Sequence, residues 1–465
     1  MRRTHGLAAA LLAAGLAGGL TSGHAARAES LADVLVEAYL NSPDLDAQRA
    51  QVKVQSEFAA QARSGNRPTV TGAIGLDVEI SNTDFNDQTA VFPTTLSLTA
   101  TQNLYTGGQV ENSTAAAERR ISVEETLLIA TEQQVLLDAV TAFSDVRQNE
   151  FLVDVSENNV RVLTEQLRAA RERFEVGEVT RTDVEQARAR LAAARSNLAA
   201  SRGQLAISRE NFADVVGRPP EDLDTPPPLP DLPETVEDSV RIALESEPQL
   251  LAARIEREAA GLDVRAAIGA LLPQIALVGQ LDQFDTVPDD LGGSRAASIG
   301  LQVTLPFYSG GANYANVRQQ QAEVEGAEAS ITTSIRDAVR NVGISWSQLE
   351  VARASIEAGR LEVRAAELAF EGVTEEAKVG ARTTLDVLDA EEEVLDARAS
   401  LITAQRDEYV AAYQLLFSMG MLTVDHLGLD VEQRDTPGSY YASVRDRNFG
   451  YDESDDTVWS LSYRP

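Results

Sequence analysis

In Val379-Gly380-Ala381-Arg382-Thr383-Thr384-Leu385-Asp386-Val387-Leu388-Asp389-Ala390, one guanidinium and two carboxylates stand close together. Asp386 and Asp389 are three residues apart and therefore share one face of a helix. Acids so placed select cations where they line a constriction. They could also serve an enzyme as acid and base, but no pocket-forming context accompanies them. Asp386 has a plainer role open to it, because a carboxylate in a first helical turn complements the helix dipole. Asp389 lies a full turn further in, where that effect has faded.

The rest of the composition removes the usual chemistries. The chain has 465 residues, no cysteine, three histidines and a formal charge of −32. Without cysteine there are no disulfides, thiolate metal sites or Cys nucleophiles. His5 and His24 lie near the start, which leaves His426 and argues against a transition-metal site. No serine has a histidine base at hand, no phosphate loop is present, and the acidic balance opposes nucleic-acid binding. The chain reads as a non-enzyme without a cofactor.

The charged stretch belongs to a repeat. Its partner is Val176-Gly177-Glu178-Val179-Thr180, followed by Thr182 and Asp183, and 380 − 177 and 386 − 183 both give 203. Tyr105-Thr106-Gly107-Gly108 and Tyr308-Ser309-Gly310-Gly311 keep the same offset, as do Gly217 and Gly420. Each copy therefore predicts a very long helix, a turn at Gly177 or Gly380, and a shorter returning helix. Thr182-x-x-Glu185 reads as the capping box of the first returning helix. Arg382 has Val179 as its counterpart and Asp389 has Gln186, so the second hairpin carries the charges that the first lacks. An earlier segment repeats as well: Asp33, Pro43, Arg49 and Pro68 match Asp238, Pro248, Arg254 and Pro273, where 273 − 68 gives 205.

Arg2-Arg3, an apolar run from Leu7 to Leu20 and Ala26-Arg27-Ala28 predict a signal peptide over 1–28. No later run is long and apolar enough for a membrane helix. An exported chain of this kind enters a membrane only as a β-barrel. Val70, Gly72, Ile74, Leu76, Val78 and Ile80 alternate with polar or small residues, as do Leu96, Leu98 and Ala100 after a polar loop over 81–93. Ile275, Leu277 and Leu281 repeat the pattern before a loop over 283–297, and Ile299, Leu301, Val303, Leu305 and Phe307 follow it. Period-two alternation over about ten residues suits barrel strands, and equally the half-buried hairpins of a soluble sandwich.

From Gly108 to Phe174 no proline interrupts a helical rhythm that includes Val160, Leu163, Leu167, Ala170 and Phe174. The returning helices carry heptads such as Val184, Ala187, Leu191 and Ala194, with small residues that let helix axes approach. The expected organisation is a first repeat over 29–217, a proline-rich connector over 218–234, a second repeat over 235–420 and a polar tail over 421–465. The first repeat carries a strand pair over about 69–105 and a long hairpin over 108–217. The second carries a strand pair over about 274–307 and a long hairpin over 311–420.

The duplicated helix–strand–strand–hairpin order, the Val379–Ala390 wording, its partner Val176–Ala187 and the tyrosine-glycine-glycine entries at Tyr105 and Tyr308 resemble the TolC family of outer-membrane export ducts. The resemblance runs from residue 30 to about 420 and is most similar to members that serve type I secretion. It implies a mainly α chain with a membrane β part. Three copies would close a twelve-stranded barrel, four strands each, above an α-barrel tunnel of helical hairpins in the periplasm. It further implies no cofactor, outer-membrane lipid around the barrel, and a periplasmic adaptor and an inner-membrane ABC or proton-driven exporter as partners.

By the same resemblance Arg382 falls on the gate arginine, and Thr182 and Asp183 on its partners in the neighbouring hairpin. Asp386 and Asp389 fall on two constriction rings, blocked by added multivalent cations but holding no physiological metal. The gate tyrosine would fall on Ala377, so one contact is missing. A periplasmic coiled-coil adaptor or scaffold stays open as the alternative, since it needs the helices but not the strands.

Overall fold

The computed structural model describes residues 29–84, 87–287, 293–431 and 438–448. The expected signal peptide over 1–28 and the last part of the tail lie outside the described residues. Two similar halves follow one another. The first holds α1 (Leu31–Asn41), α2 (Pro43–Ser64), β1 (Thr69–Leu76), β2 (Glu79–Asp84), β3 (Asp87–Tyr105), α3 (Gln109–Glu175) and α4 (Arg181–Val216). The second holds α5 (Val236–Ser246), α6 (Pro248–Gly269), β4 (Gln274–Val287), β5 (Ser294–Thr304), α7 (Ala312–Lys378) and α8 (Thr384–Ser418), with α9 (Ser439–Val444) beyond it.

Local chemistry sets the breaks. A residue before proline is driven out of the helical region, so α1 ends at the extended Ser42 ahead of Pro43. The Ser42 hydroxyl then accepts the Leu45 N–H at 3.3 Å and caps α2. α3 and α7 are each 67 residues long, which at 1.5 Å per residue is about 100 Å. Each packs along its returning helix, α3 on α4 and α7 on α8.

The strands form one antiparallel sheet in the order β1-β3-β4-β5, with β2 also on β3. β1 and β2 are two pieces of one strand line, interrupted at Asp77 and Val78, so the sheet has four lines. The loop expected over 81–93 is largely strand, because β2 and β3 keep pairing as far as Asp84 and Asp87. The loop expected over 283–297 is likewise shortened by pairing of Phe284 with Ser294. At the other end β5 stops at Thr304 rather than Phe307, where Pro306 offers no N–H to a ladder.

Register sorts the sheet into two faces. Gly72 pairs with Leu98, Leu98 with Leu281 and Leu281 with Ala297, while Thr71 pairs with Thr99 and Thr99 with Gln280. The apolar face is not covered: Ile74 is 73 % exposed and Ile299 77 % exposed. All of β5 is exposed.

The main core lies around the middle of the long helices. Phe143 of α3, Phe212 of α4, Val342 and Leu349 of α7 and Leu415 and Leu416 of α8 are buried there with Leu31 and Val34 of α1. The segment after α8 joins them, since Met419, Leu422 and Val424 are buried, so the polar tail expected from 421 begins further on. The connector over 218–234 has no helix or strand, and its Arg218 reaches Glu37 at 2.8 Å and Glu29 at 2.5 Å. Phe143→Ala should cost about 3–5 kcal/mol, as phenylalanine truncation in a packed core does. Chemical denaturation of the detergent-solubilised protein checks this, with the half-exposed Phe174→Ala as the control expected to move the midpoint far less.

Candidate functional site

The two hairpin tips are built alike, because the same residue types recur at the same offsets. At the end of α3 the Gly177 N–H donates to Phe174 O at 3.0 Å and the Glu178 N–H to Arg173 O at 2.9 Å. At the end of α7 the Gly380 N–H donates to Ala377 O at 3.1 Å and the Ala381 N–H to Glu376 O at 2.9 Å. This pair of bonds is a Schellman motif, which needs a left-handed residue after the helix. Gly177 at φ 83° and Gly380 at φ 78° supply it, and a side chain there would be strained.

Both returning helices then start on a threonine capping box. Thr180 Oγ1 accepts the Asp183 N–H at 3.4 Å, and Asp183 Oδ2 accepts the Thr180 N–H at 2.8 Å. Thr383 and Asp386 do the same, at 3.3 Å and 2.9 Å. The box read from Thr182 and Glu185 is therefore corrected: the helix begins earlier, with Thr180 extended at the cap and Thr182 exposed inside the first turn. The Thr383 N–H first, then its hydroxyl, hold the Asp386 carboxyl below the usual carboxylate range, and Arg382 adds to this. A lowered carboxyl contributes stability above its ordinary value of 3.8, lost as pH falls through the folded value.

Arg382 donates from Nε to Glu376 Oε2 at 2.8 Å within its own hairpin. Among the described residues no hydrogen bond or ion pair joins it to Thr182 or Asp183 within the protomer. Beside the acids the crossing between hairpins is made by Arg190 of α4, and further from the tips by Arg406 of α8 to Asp145 of α3. Arg190 Nη2 lies 2.6 Å from Asp389 Oδ1, and its Nη1 bonds Glu392. Between the acids, Leu388 of α8 is buried among Leu163, Leu167, Ala170, Val184, Ala187 and Leu191 of the first hairpin. The structure thus brings Asp389 to the seam between hairpins, ties Asp386 into a helix cap, and leaves Arg382 on its own tip.

Arg190 and Glu376 were not singled out from the sequence. For Arg190 a signal was present: its repeat counterpart is Glu393, a reversal of charge at one offset of 203, or 393 − 190. The site can attract cations and hold two hairpins against each other. It offers no nucleophile, and among the described residues no cluster of three His, Cys, Asp or Glu could hold a metal.

Comparison with known proteins places this geometry. Residues 34–218 and 240–421 match the family model described as outer membrane efflux protein. The chain is 39 % identical over 446 residues to the outer membrane efflux protein BepC of Brucella suis biovar 1 (strain 1330), covering 96 % of each. It is 25 % identical over 418 residues to the outer membrane protein TolC of Escherichia coli (strain K12), covering 86 % of this chain and 84 % of that one. The solved CusC structure, a transmembrane channel by its description, superposes with a TM-score of 0.75 at 18 % identity. That match covers 84 % of this chain and 92 % of CusC.

Replacing the cap that the structure identifies should loosen the tip, while replacing the neighbouring threonine should not. Thr180→Ala is expected to cost about 1 kcal/mol in the opening of the first turn of α4. Thr383→Ala should act in the same direction on α8, and Thr182→Ala should change neither. Hydrogen exchange of the first-turn amides reads all three, and a larger effect from Thr182→Ala than from Thr180→Ala would overturn the assignment.

Proposed function

The chain belongs to the outer membrane efflux protein family, which includes TolC, and on that premise we propose that it works as a homotrimeric exit duct. As a member it is an efflux channel of the Gram-negative outer membrane and not an enzyme. The periplasmic coiled-coil scaffold is set aside, because the chain carries the family's sheet as well as its helices.

One observation carries the trimer: a four-line sheet with an exposed apolar face and unpaired edges at β1 and β5. Edge N–H and C=O groups cannot stay unpaired in lipid, so a sheet of this kind must close on itself or on copies. Four strand lines are too few to close alone around a passage. Three copies, joined β5 to β1, make a barrel of twelve lines with the apolar face outward. The exposed Ile344, Val351, Leu361 and Leu368 of α7 support copies packed side by side in the tunnel as well.

The hairpin tips close the periplasmic end in this reading. Arg382 leaves Glu376 for Thr182 and Asp183 of a neighbouring protomer, while Arg190 holds Asp389 and Glu392 within the protomer. Asp386 and Asp389 together put six carboxylates at the narrow point. An ion pair as half-exposed as Arg190 with Asp389 is worth about 0–1 kcal/mol, which suits a closure that a partner must open. The partner is a periplasmic adaptor with an inner-membrane ABC or proton-driven exporter. The cargo route serves efflux, type I protein secretion, or both.

Single-channel conductance in a planar bilayer tests this. The wild type should give small, cation-selective steps that a trivalent cation added on the hairpin side blocks. Arg382→Ala and Arg190→Ala should each raise the conductance, and Arg190→Ala should deepen the block by freeing Asp389. Unchanged conductance in both variants would remove the latch and keep the duct. A folded, outer-membrane-extracted trimer that forms no channels would remove the duct itself.

A further inference from the structure

One buried titratable group in the hairpins has no part in the reading above. Glu391 of α8 is 7 % exposed, and its Oε2 meets no hydrogen-bond donor. It lines a cavity of about 230 Å³ between α3, α4 and α8. Asn159 of α3 lines the same cavity, and its Oδ1 is likewise buried without a donor. Buried acceptors are normally satisfied by protein or ordered water, so two orphans facing one cavity mark a place where a donor is called for.

The two hydroxyls and the Arg190 Nη groups on the cavity do not supply it. Ser156 Oγ donates to Leu152 O at 2.8 Å and Ser201 Oγ to Asn197 O at 3.1 Å. Arg190 commits its two Nη groups to Asp389 and Glu392. A metal is not favoured, since no cluster of three ligating side chains exists among the described residues.

We propose that the missing donor is a single proton carried by Glu391: its neutral carboxyl donates from Oε2 to Asn159 Oδ1 and so locks the second hairpin to the first. Ionisation releases that proton to water and leaves a carboxylate facing an amide oxygen, two acceptors that no longer attract. The lock sits one turn from Leu388, which is seated in the seam of the first hairpin. The charged groups on the cavity are Arg190 from α4 and Glu392 and Asp396 from α8, while α3 contributes none and α7 does not line it. Burial pushes the Glu391 carboxyl up to about 7 from its ordinary 4.5. A carboxyl raised in the packed state stabilises packing fully below 4.5, and that stabilisation is lost as pH rises through about 7. Alkaline pH therefore favours parted hairpins. As a control on the gate this rests on the duct reading; as an interlock between hairpins it does not.

The chain has no cysteine, so spin labels can be placed on the intact protein at Thr164→Cys of α3 and Glu393→Cys of α8, both exposed. The ratio of parted to packed hairpins should rise about tenfold per pH unit from about pH 5 to 7 and level off above. Glu391→Gln keeps a donor for Asn159, so its hairpins should stay packed at every pH. Glu391→Leu, a second variant against misfolding, should also give a flat profile. Asn159→Asp creates two carboxyls that share one proton, which should carry the rise to higher pH. A flat wild-type profile, a Glu391→Gln profile that still titrates, or an Asn159→Asp profile equal to wild type would overturn the interlock. Conductance measured on the same samples separates the two readings. Titrating distances without channels would sink the duct and leave the interlock, and channels with pH-independent distances would do the reverse.

Discussion

Everything about this chain depends on a sheet that cannot be finished by one copy. Backbone N–H and C=O groups in a hydrocarbon environment must be paired, because no water is there to take their place. The four strand lines pair internally through three ladders, yet β1 and β5 each keep a free edge. Their apolar face, from Val70 and Ile74 across to Ile299 and Val303, is exposed, with no helix of the described residues laid over it. A soluble protein would bury that face against a second layer. Among the described residues the other layers are helices that start beyond the ends of the strands, and the surface left bare has the size and pattern of a wall in lipid.

The helical half solves a different problem. α3 and α7 are too long for any single core, so their stability comes from a seam repeated along the length. Near the tips that seam is thin: Leu163, Leu167, Val184, Ala187 and Leu191 in the first hairpin, Ala366, Val394 and Ala397 in the second. Leu388 reaches across from one to the other. Burying a leucine is worth about 1.5–3 kcal/mol, against about 0–1 kcal/mol for a half-exposed pair such as Arg190 with Asp389. Packing therefore contributes more to holding the hairpins together, and the ion pairs set which hairpin faces which.

The two repeats share their scaffold and differ in their charges. Thr180 and Thr383, Asp183 and Asp386, Gly177 and Gly380 do the same structural work at matching positions. Val179 and Arg382, Gln186 and Asp389, Arg188 and Glu391, Arg190 and Glu393 do not match, and the tip's chemistry lies among them. The two hairpins thus share a scaffold and differ in charge at the positions where Arg190 meets Asp389.

By itself the sequence determined the periodic part of the protein. Strand alternation, the proline-free run from Gly108 to Phe174, the glycine turns and the constant offset follow from local rules, and the elements stand where those rules put them. Strand ends were legible only in part, because pairing carried β2, β3, β4 and β5 into segments whose polar residues read as loops. The cap at Thr180 rather than Thr182 was likewise decided by where the backbone turned helical. What no local rule contains is proximity between helices. That Arg190 meets Asp389, that Arg382 rests on Glu376, and that Glu391, the first in a run of three glutamates, is the one turned inward all depend on how two hairpins rotate and settle against each other. Rotation is fixed by side-chain packing along the whole seam, a property of the assembled tertiary structure and of no single stretch of chain.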